Sequence, residues 1–362
     1  MLADGTYWGP FEPEKLKFEG DIDSLFVSRN VEVVASGFLW AEGPVWWRQE
    51  QALLFSDVPG DKIYKLTKKG VEIFIDHSGG WDGKSGSLSN IPDYENFVEH
   101  GSNGLALYGD DLIICHHGIR SITKVKLNSV KKGQRHSNQN YQVVVDEYQG
   151  KRLNSPNDVA IDRDGALWFT DPAYGFLLRS EPGSFEPKTG NDPLSGNPGD
   201  MPYLDERSKE DGTGLGGVYR YKDGNLDLVI DTIERPNGIA FSCDGQILYV
   251  SNSRKDKTSI TAYQVSEEFP LKPLATFEND NSTGLCCFDG LTVDEENRVW
   301  TSAPKGVAII DVLANKVVGK ITFNTAISNV EFGDDGDVWI SGLGHIWKMK
   351  RKQTKRCHQF NI

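Results

Sequence analysis

The stretch NDVAIDRDGALWFTD, residues 157–171, decides the fold class of this chain. Its apolar and polar residues alternate, which predicts β-strands with one buried face. The Asp-Gly pair in its middle is a strong hairpin-turn signal. The stretch therefore predicts two antiparallel strands, the first beginning at Asn157 and the second ending at Asp171.

The same pattern occurs five more times along the chain, and further strands follow each copy. Four strands per unit, repeated radially, predict an all-β fold, a six-bladed β-propeller with four antiparallel strands per blade. The other copies are EGPVWWRQEQALLFSD (42–57), NGLALYGDDLIICHH (103–117), NGIAFSCDGQILYVSN (237–252), DGLTVDEENRVWTS (289–302) and SNVEFGDDGDVWIS (328–341).

The last unit is one strand short, because HIWKMK (345–350) is its third strand. We expect VEVVAS (31–36) to supply the missing outer strand and to close the ring, which would remove an exposed sheet edge. The predicted organisation is then an N-terminal extension (1–30), the propeller (31–350) and a basic C-terminal tail (351–362).

Two insertions, 78–101 and 172–214, interrupt the repeat. The second is rich in Gly, Pro, Ser and charged residues, so a disordered surface loop is one interpretation. The order of strands favours another. It places both insertions on the face where the inner strands begin, and long loops above such a face are usually lids or specificity walls.

Composition excludes several classes of protein. The 362 residues carry a formal net charge of -13, which argues against a nucleic-acid partner. The sequence contains no apolar stretch of the ~20 residues that span a bilayer and no apolar signal core at its start, so we expect a cytoplasmic protein without membrane association. The five Cys residues are odd in number and irregularly spaced, which argues against a disulfide scaffold and favours buried free thiols.

Six polar residues begin the six inner strands at the same offset from their turns, so they should converge at one end of the axis. Residues of this kind also cap turns, but turn capping does not require one offset in six copies. Two of the six are carboxylates, whose burial is costly unless a cation accompanies them. Carboxylate and amide oxygens suit Ca²⁺, and the lack of soft ligands counts against Zn²⁺. The six residues are Glu42, Asn103, Asn157, Asn237, Asp289 and Ser328.

Four blocks of sequence carry a resemblance to a known family: AEGPVW (41–46), YQGKRLNSPNDVAIDRDGALWFTDPAYG (148–175), RPNGIAFSCDGQILYVSNS (235–253) and DGLTVDEENRVW (289–300). They resemble the SMP-30/gluconolactonase/luciferin-regenerating-enzyme family, and most of all its microbial gluconolactonase-like branch. The resemblance implies a six-bladed propeller with one catalytic Ca²⁺ or other divalent ion, which hydrolyses lactones of aldonic acids. It also implies four metal ligands: Glu42, Asn157, Asn237 and Asp289.

The sequence departs from the family pattern near the expected substrate. The animal branch places a substrate-binding Arg two positions before the third-blade Asn, where this chain has Ser155, and Arg152 is close but not equivalent. Relatives often show a Glu-His pair where this chain has His116-His117. These departures leave the predicted metal ligands intact and concern the identity of the substrate.

The predicted chemistry is metal-assisted opening of a sugar lactone such as glucono-1,5-lactone. A divalent ion would polarise the carbonyl, and Asp289 would assist attack by water, with Glu42 as a ligand. Residues at the upper ends of the second strands should help to line the site, although only one of two adjacent strand residues can face it. The predicted substrate-binding residues are Asn103, His116, His117, Arg152, Asp171, Tyr174, Asn252 and Ser328.

Two other functions use the same scaffold. One is a metal-dependent phosphotriesterase with the same ligands, which would need a more apolar pocket. The other is a non-catalytic propeller that binds a protein partner, which does not need carboxylates at its axis. Ca²⁺ is the expected ion, with Mg²⁺, Mn²⁺ or Zn²⁺ as alternatives. The expected partner is a small-molecule lactone, and the expected state is a monomer or a small homo-oligomer.

Overall fold

The computed structural model describes residues 11–80, 97–136, 141–179, 202–254, 257–278, 288–303, 305–323 and 325–352. In these ranges the chain forms six antiparallel sheets, each with a four-stranded blade at its centre, which confirms the predicted six-bladed β-propeller. Parts of the predicted terminal and inserted segments lie outside the described residues: 1–10 of the extension, 81–96 and 180–201 of the insertions, and 353–362 of the tail.

The N-terminal segment joins two blades. It contains β1 (Lys17–Gly20), a short helix α1 (Ile22–Leu25) and β2 (Glu32–Ser36). β2 pairs antiparallel with the strand at 345–350, with Ser36 opposite His345, so the predicted closure of the ring is confirmed. β1 adds to the edge of the fifth blade, so part of the predicted extension is built into the propeller.

The first three blades follow the predicted order of strands, from the axis outwards. A short strand adds in parallel to the edge of blade 1, and a two-stranded hairpin precedes blade 3. Blade 1 contains β3 (Ala41–Trp47), β4 (Ala52–Asp57), β5 (Lys62–Thr67) and β6 (Gly70–Asp76); blade 2 contains β7 (Ser102–Tyr108), β8 (Asp111–His116), β9 (Ser121–Lys126) and, after the edge strand β10 (Gln134–Arg135), β11 (Tyr141–Val145); the hairpin is β12 (Glu147–Tyr148) and β13 (Lys151–Arg152); blade 3 contains β14 (Val159–Ile161), β15 (Leu167–Asp171), β16 (Gly217–Lys222) and β17 (Asn225–Ile230).

The last three blades repeat the same arrangement, and helix α2 (Pro202–Asp211) lies in the second insertion, between β15 and β16. Blade 4 contains β18 (Pro236–Phe241), β19 (Ile247–Asn252), β20 (Ser259–Gln264) and β21 (Pro273–Glu278); blade 5 contains β22 (Leu291–Val293), β23 (Val299–Ala303), β24 (Gly306–Asp311) and β25 (Lys316–Thr322); blade 6 contains β26 (Ile327–Phe332), β27 (Asp337–Gly342), β28 (His345–Lys350) and β2.

The core is a ring of apolar clusters between neighbouring blades. Leu54 of blade 1 packs in one cluster with Leu112 and Ile114 of blade 2, and all three are fully buried. Between blades 6 and 1, Trp46 and Trp339 stack with their ring centroids 5.6 Å apart. Each fully buried Leu or Ile side chain stabilises the fold by roughly 1.5–3 kcal/mol relative to an exposed one. Because the apolar clusters lie between the blades, polar groups can occupy the axis.

The cysteines that the structure describes differ in their bonding. Cys115 is a buried free thiol, as expected, but the expectation of a free thiol was wrong for Cys243, which is disulfide-bonded. An irregular spacing along the sequence does not prevent two cysteines from meeting when repeated blades bring distant segments together.

Within the described ranges, neither helix is long and apolar enough to cross a membrane.

Candidate active site

The inner strands bring their first residues to one end of the axis through a repeated irregularity. In four blades the pairing of the inner strand with its neighbour shifts by one residue at its start, which bends the strand and redirects a side chain. The shifts lie between Glu42 and Val45 in β3, Ser102 and Leu105 in β7, Pro236 and Ile239 in β18, and Ile327 and Asn329 in β26.

Glycines next to these residues let the backbones of neighbouring blades meet. The N–H of Gly104 donates to the carbonyl oxygen of Asn157 at 2.7 Å, and that of Gly238 donates to the carbonyl oxygen of Asp289 at 3.2 Å. A Cβ atom on Gly238 would lie 2.6 Å from the Asp289 oxygen, which is closer than such atoms approach. The glycines therefore tie the start of each of these strands to the next blade.

Hydroxyl groups near the ends of the second strands hold the backbone of the axial residues. In three of these strands the penultimate residue is Ser or Thr, and its hydroxyl donates to the backbone carbonyl of the axial residue in the next blade. These blade-to-blade hydrogen bonds hold three axial residues in place. The pairs are Ser56 with Asn103, Thr170 with Asn237, and Ser251 with Asp289, each at 2.7 Å.

Five predicted site residues form a chain of side-chain hydrogen bonds around the axis, here called the axial ring. Asn103 Nδ2 donates to Asn157 Oδ1 at 2.8 Å, and Asn157 Nδ2 donates to Asn237 Oδ1 at 2.7 Å. Asn237 hydrogen-bonds with Asp289, and the Asp289 carboxyl hydrogen-bonds with that of Glu42. Four of these side chains are buried, and Asp289 is partly exposed. The structure thus brings the four predicted metal ligands and Asn103 together.

Two carboxyl groups therefore meet in the axial ring. Burial raises the pKa of Glu42. Burial, together with the charges of Glu42 and Glu99, raises the pKa of Asp289 well above its ordinary range. Two carboxyl groups that hydrogen-bond to each other share a proton, since two charges so close repel. A divalent cation would replace that proton and allow both groups to ionise.

The sixth axial position differs from its prediction. The Ser328 hydroxyl donates to the carbonyl of Ala41 and lies 3.0 Å from Ser341 Oγ, so it ties blade 6 to blade 1. The next residue, Asn329, instead reaches the ring, and its Nδ2 donates to Glu42 Oε2 at 3.2 Å. Asn329 stands where four of the other inner strands have Gly, and that substitution is the signal by which sequence reasoning could have found it.

Asp171 and Asn252, predicted to bind substrate, use their side-chain oxygens to hold the segments that lead to the axial residues. Each of the two residues ends a second strand. Its side chain accepts hydrogen bonds from backbone N–H groups, which belong to residues just before the axial residue of the same blade or just after the second strand. The contacts are Asn154 N to Asp171 Oδ2 (2.8 Å), Ser155 N to Asp171 Oδ1 (2.8 Å), Arg235 N to Asn252 Oδ1 (3.3 Å) and Arg254 N to Asn252 Oδ1 (3.2 Å).

The two adjacent histidines have different surroundings. His116 lies 2.6 Å from the Ser78 carbonyl oxygen through Nδ1 and 2.7 Å from Thr123 Oγ1 through Nε2, so both ring nitrogens are engaged away from the ring. His117 Nε2 lies 3.2 Å from Asn157 Oδ1. Burial lowers the pKa of His117 to about 4, so this imidazole is neutral at physiological pH. Of the pair, His117 is the one beside the axial ring.

The remaining predicted residues, Arg152 and Tyr174, differ in what they contact. Arg152 ends the hairpin before blade 3, and its guanidinium donates to the Ile119 carbonyl at 2.8 Å. Tyr174 is buried, and its hydroxyl lies near Asn237 and Ser253. Burial raises the pKa of this phenol, which is therefore a neutral donor next to the axial ring.

Sequence reasoning missed one carboxylate beside the site, Glu99. It lies at the end of the first insertion, and its Oε2 is 3.6 Å from His117 Nδ1. Its side chain is 17% exposed. Burial, and then the charge of Glu42, raises the pKa of Glu99 to about 8. A lone Glu in an insertion has no counterpart in the other repeats, so the pattern that located the axial residues could not locate this one.

The two insertions meet above blades 2 and 3, where their described parts (97–101, 172–179 and 202–214) form what is here called the cap. Phe97 and Leu178 form an antiparallel bridge, and Val98 N donates to the Leu177 carbonyl at 2.8 Å. An apolar cluster joins them and includes Leu204 of helix α2, which is fully buried. The cap thus holds the backbone just before Glu99.

The chain is similar in sequence and fold to several known proteins. Residues 40–341 match the family model described as "SMP-30/Gluconolactonase/LRE-like region". The chain is 33% identical to a gluconolactonase of Zymomonas mobilis over 348 residues, which covers 93% of this chain and 85% of that protein. Among solved structures, a gluconolactonase of Xanthomonas campestris superposes with a TM-score of 0.68 at 25% identity, covering 95% of this chain and 98% of that one. A calcium-binding regucalcin of Agrobacterium tumefaciens shares the fold, with a TM-score of 0.55 at 13% identity over 94% of this chain and 96% of that one. The chain belongs to the SMP-30/gluconolactonase/LRE-like family.

Proposed function

We propose that this chain is a lactonase that opens sugar lactones such as glucono-1,5-lactone with the help of one divalent cation. The observation that carries the proposal is the axial ring, in which hydrogen bonds link the carboxyl groups of Glu42 and Asp289 with three asparagine amides. Family membership and the similarity to a gluconolactonase of Zymomonas mobilis support lactone hydrolysis as the reaction.

The donor set fits a hard cation. Among the described residues no group of three or more His, Cys, Asp and Glu side chains could hold a metal ion, so a cation would depend on amide oxygens as well as carboxylates. Such mixed oxygen sites are typical of Ca²⁺, which is the proposed ion, with Mg²⁺, Mn²⁺ and Zn²⁺ as alternatives. The proposed ligands are Glu42, Asn157, Asn237 and Asp289.

When bound there, the cation would polarise the lactone carbonyl and stabilise the charge that develops on its oxygen. Asp289 is the proposed base, because its carboxylate lies in the ring and can take a proton from the attacking water. Glu42 receives hydrogen bonds from Asn329 Nδ2 and from the N–H of Gly43 at 3.0 Å, which fix it as a ligand. Tyr174 and Asn103 are proposed to orient the substrate by hydrogen bonds.

The polar groups around the ring favour a sugar lactone over the alternatives. A phosphotriester would need an apolar pocket, whereas Asn103, His117 and Glu99 present polar atoms here. A propeller that only binds a protein partner would gain nothing from carboxyl groups whose burial costs stability.

Two further expectations stay predictions. We expect a monomer or small homo-oligomer with no nucleic-acid or membrane partner. A cytoplasmic location also stays a prediction, and the disulfide at Cys243 counts against it, because disulfides persist mainly in oxidising compartments.

Proton release in a weakly buffered indicator assay tests the proposed reaction. The Ca²⁺-loaded protein should open glucono-1,5-lactone faster than the spontaneous background and should leave a phosphotriester such as paraoxon nearly untouched. A preference for the phosphotriester would replace the lactonase by the alternative enzyme, and inactivity on both with every divalent ion would favour the non-catalytic propeller.

A further inference from the structure

Four of the eight side chains predicted to bind substrate are already engaged by other groups of the protein. Asp171 and Asn252 accept backbone N–H groups, and His116 contacts the Ser78 carbonyl and Thr123. Arg152 donates to the Ile119 carbonyl. A sugar lactone carries several hydroxyl groups, each of which needs an acceptor when it is buried. The site therefore requires an acceptor that these four residues do not supply.

Glu99 has the position of such an acceptor. Its carboxyl oxygen Oε2 lies 3.6 Å from Nδ1 of His117, and Nε2 of the same imidazole lies 3.2 Å from Asn157 Oδ1 of the axial ring. The Glu99 side chain is 17% exposed. It forms no metal-binding group with Glu42 and Asp289 among the described residues. Glu99 is thus separated from a proposed metal ligand by one imidazole and is partly open to solvent, so a substrate held at the axial ring could reach it.

Backbone contacts on both sides of Glu99 keep its carboxyl group in place. The bridge between Phe97 and Leu178 and the bond from Val98 N to the Leu177 carbonyl fix the backbone just before Glu99. The N–H of Gly101 donates to the Val58 carbonyl at 3.0 Å and fixes the backbone just after it. His117 Nδ1 lies 3.6 Å from the Glu99 carboxyl oxygen, beyond ordinary hydrogen-bond distance. The backbone contacts on both sides of Glu99 therefore hold its carboxyl group where a ligand could reach it.

We infer that Glu99 is a substrate-binding residue, whose carboxyl group forms hydrogen bonds with ring hydroxyl groups and so selects polyhydroxylated lactones over unsubstituted ones. The inference rests on the proposed lactonase function. A carboxyl group has two oxygens with lone pairs and accepts hydrogen bonds with or without its proton, so it can contact two neighbouring hydroxyls of a sugar ring. An unsubstituted ring offers no such hydroxyl groups, so the contact discriminates between the two.

Binding of unreactive ring analogues tests the inference without relying on catalysis. D-Glucono-1,5-lactam and δ-valerolactam have the same ring with and without hydroxyl groups. In calorimetric titrations with excess Ca²⁺, Glu99→Ala should weaken gluconolactam binding about 10- to 100-fold, the size expected for the loss of one or two buried hydrogen bonds. Glu99→Gln should give a smaller loss, and δ-valerolactam binding should not change.

A matched control is Glu210→Gln, an exposed carboxylate on helix α2 of the same cap. It should leave both affinities unchanged. Equal losses for the two lactams in Glu99→Ala, no loss for either, or a wild-type protein that does not bind gluconolactam would each overturn the inference.

Hydrolysis of glucono-1,5-lactone by the wild-type protein, measured beside the titrations, separates this inference from the proposed function. Selective lactam binding without hydrolysis would refute the lactonase and retain the role of Glu99. Hydrolysis with an unselective Glu99→Ala variant would retain the lactonase and refute that role.

Discussion

Replacing Glu99 by Gln is expected to stabilise the metal-free protein at alkaline pH, although it removes a proposed functional group. Burial, followed by the charge of Glu42, raises the pKa of Glu99 from 4.5 to about 8. The folded protein therefore holds a proton that the unfolded chain releases above pH 4.5, and folding stability is lost as the pH rises through the window from 4.5 to about 8. Gln carries no such proton and removes this loss.

The size of the effect follows from the same values. Each unit of pKa difference corresponds to 1.36 kcal/mol, so the stability advantage of Glu99→Gln should grow by about 3 kcal/mol between pH 5 and pH 8. Urea unfolding in the presence of EDTA at both pH values measures it, and Glu210→Gln is the exposed control. Asp158 and Asp171, whose pKa values burial raises to about 7, remain in both proteins and cancel in the comparison. An advantage of equal size at pH 5 and pH 8 would refute the placement of Glu99 in a buried, uncompensated position.

Three further substitutions test how the site is held. Gly238→Ala should destabilise the fold by about 1–3 kcal/mol in urea unfolding and weaken Ca²⁺ binding in calorimetry, because its Cβ would lie 2.6 Å from the Asp289 carbonyl oxygen; unchanged stability and affinity would count against the close approach of the blades. Asp171→Ala should cost about 2–4 kcal/mol in urea unfolding, since two buried N–H groups lose their acceptor; a change in KM alone would show a substrate role instead. Leu204→Ala should loosen the cap and raise hydrogen exchange at residues 97–99, with a lower rate on glucono-1,5-lactone; unchanged exchange there would separate helix α2 from the position of Glu99.

The fold was predictable because it repeats. Six copies of one strand pattern set the number of blades, and the missing strand of blade 6 pointed to VEVVAS as its closing partner, which the pairing of β2 with β28 confirms. The position of the axial residues followed from the same register. The hydroxyl groups that fix those residues, such as Thr170 and Ser251, also repeat, and could have been found by asking which polar residue precedes the end of each second strand.

The parts of the site that were not predictable do not repeat. Sequence shows that Asp171 and Asn252 are polar but not that backbone N–H groups take up their acceptors. Alternation along a strand requires that His116 and His117 differ, but the hydrogen bonds of His116 to Ser78 and Thr123 are what distinguish them. Glu99 enters through an insertion, and its position depends on contacts between two segments that are distant in the sequence.

The most direct test of the central claim compares three samples in one assay of glucono-1,5-lactone opening: metal-stripped protein, Ca²⁺-reloaded protein and reloaded Asp289→Asn. The account predicts background rates for the stripped protein, recovery on reloading, and a rate for Asp289→Asn that is about 10²- to 10⁴-fold lower, as expected for the loss of a general base. Circular dichroism should show the same fold in all three. A stripped protein that works at the full rate, or an Asp289→Asn variant that matches the wild type, would contradict the proposal that a cation and Asp289 act together at the propeller axis.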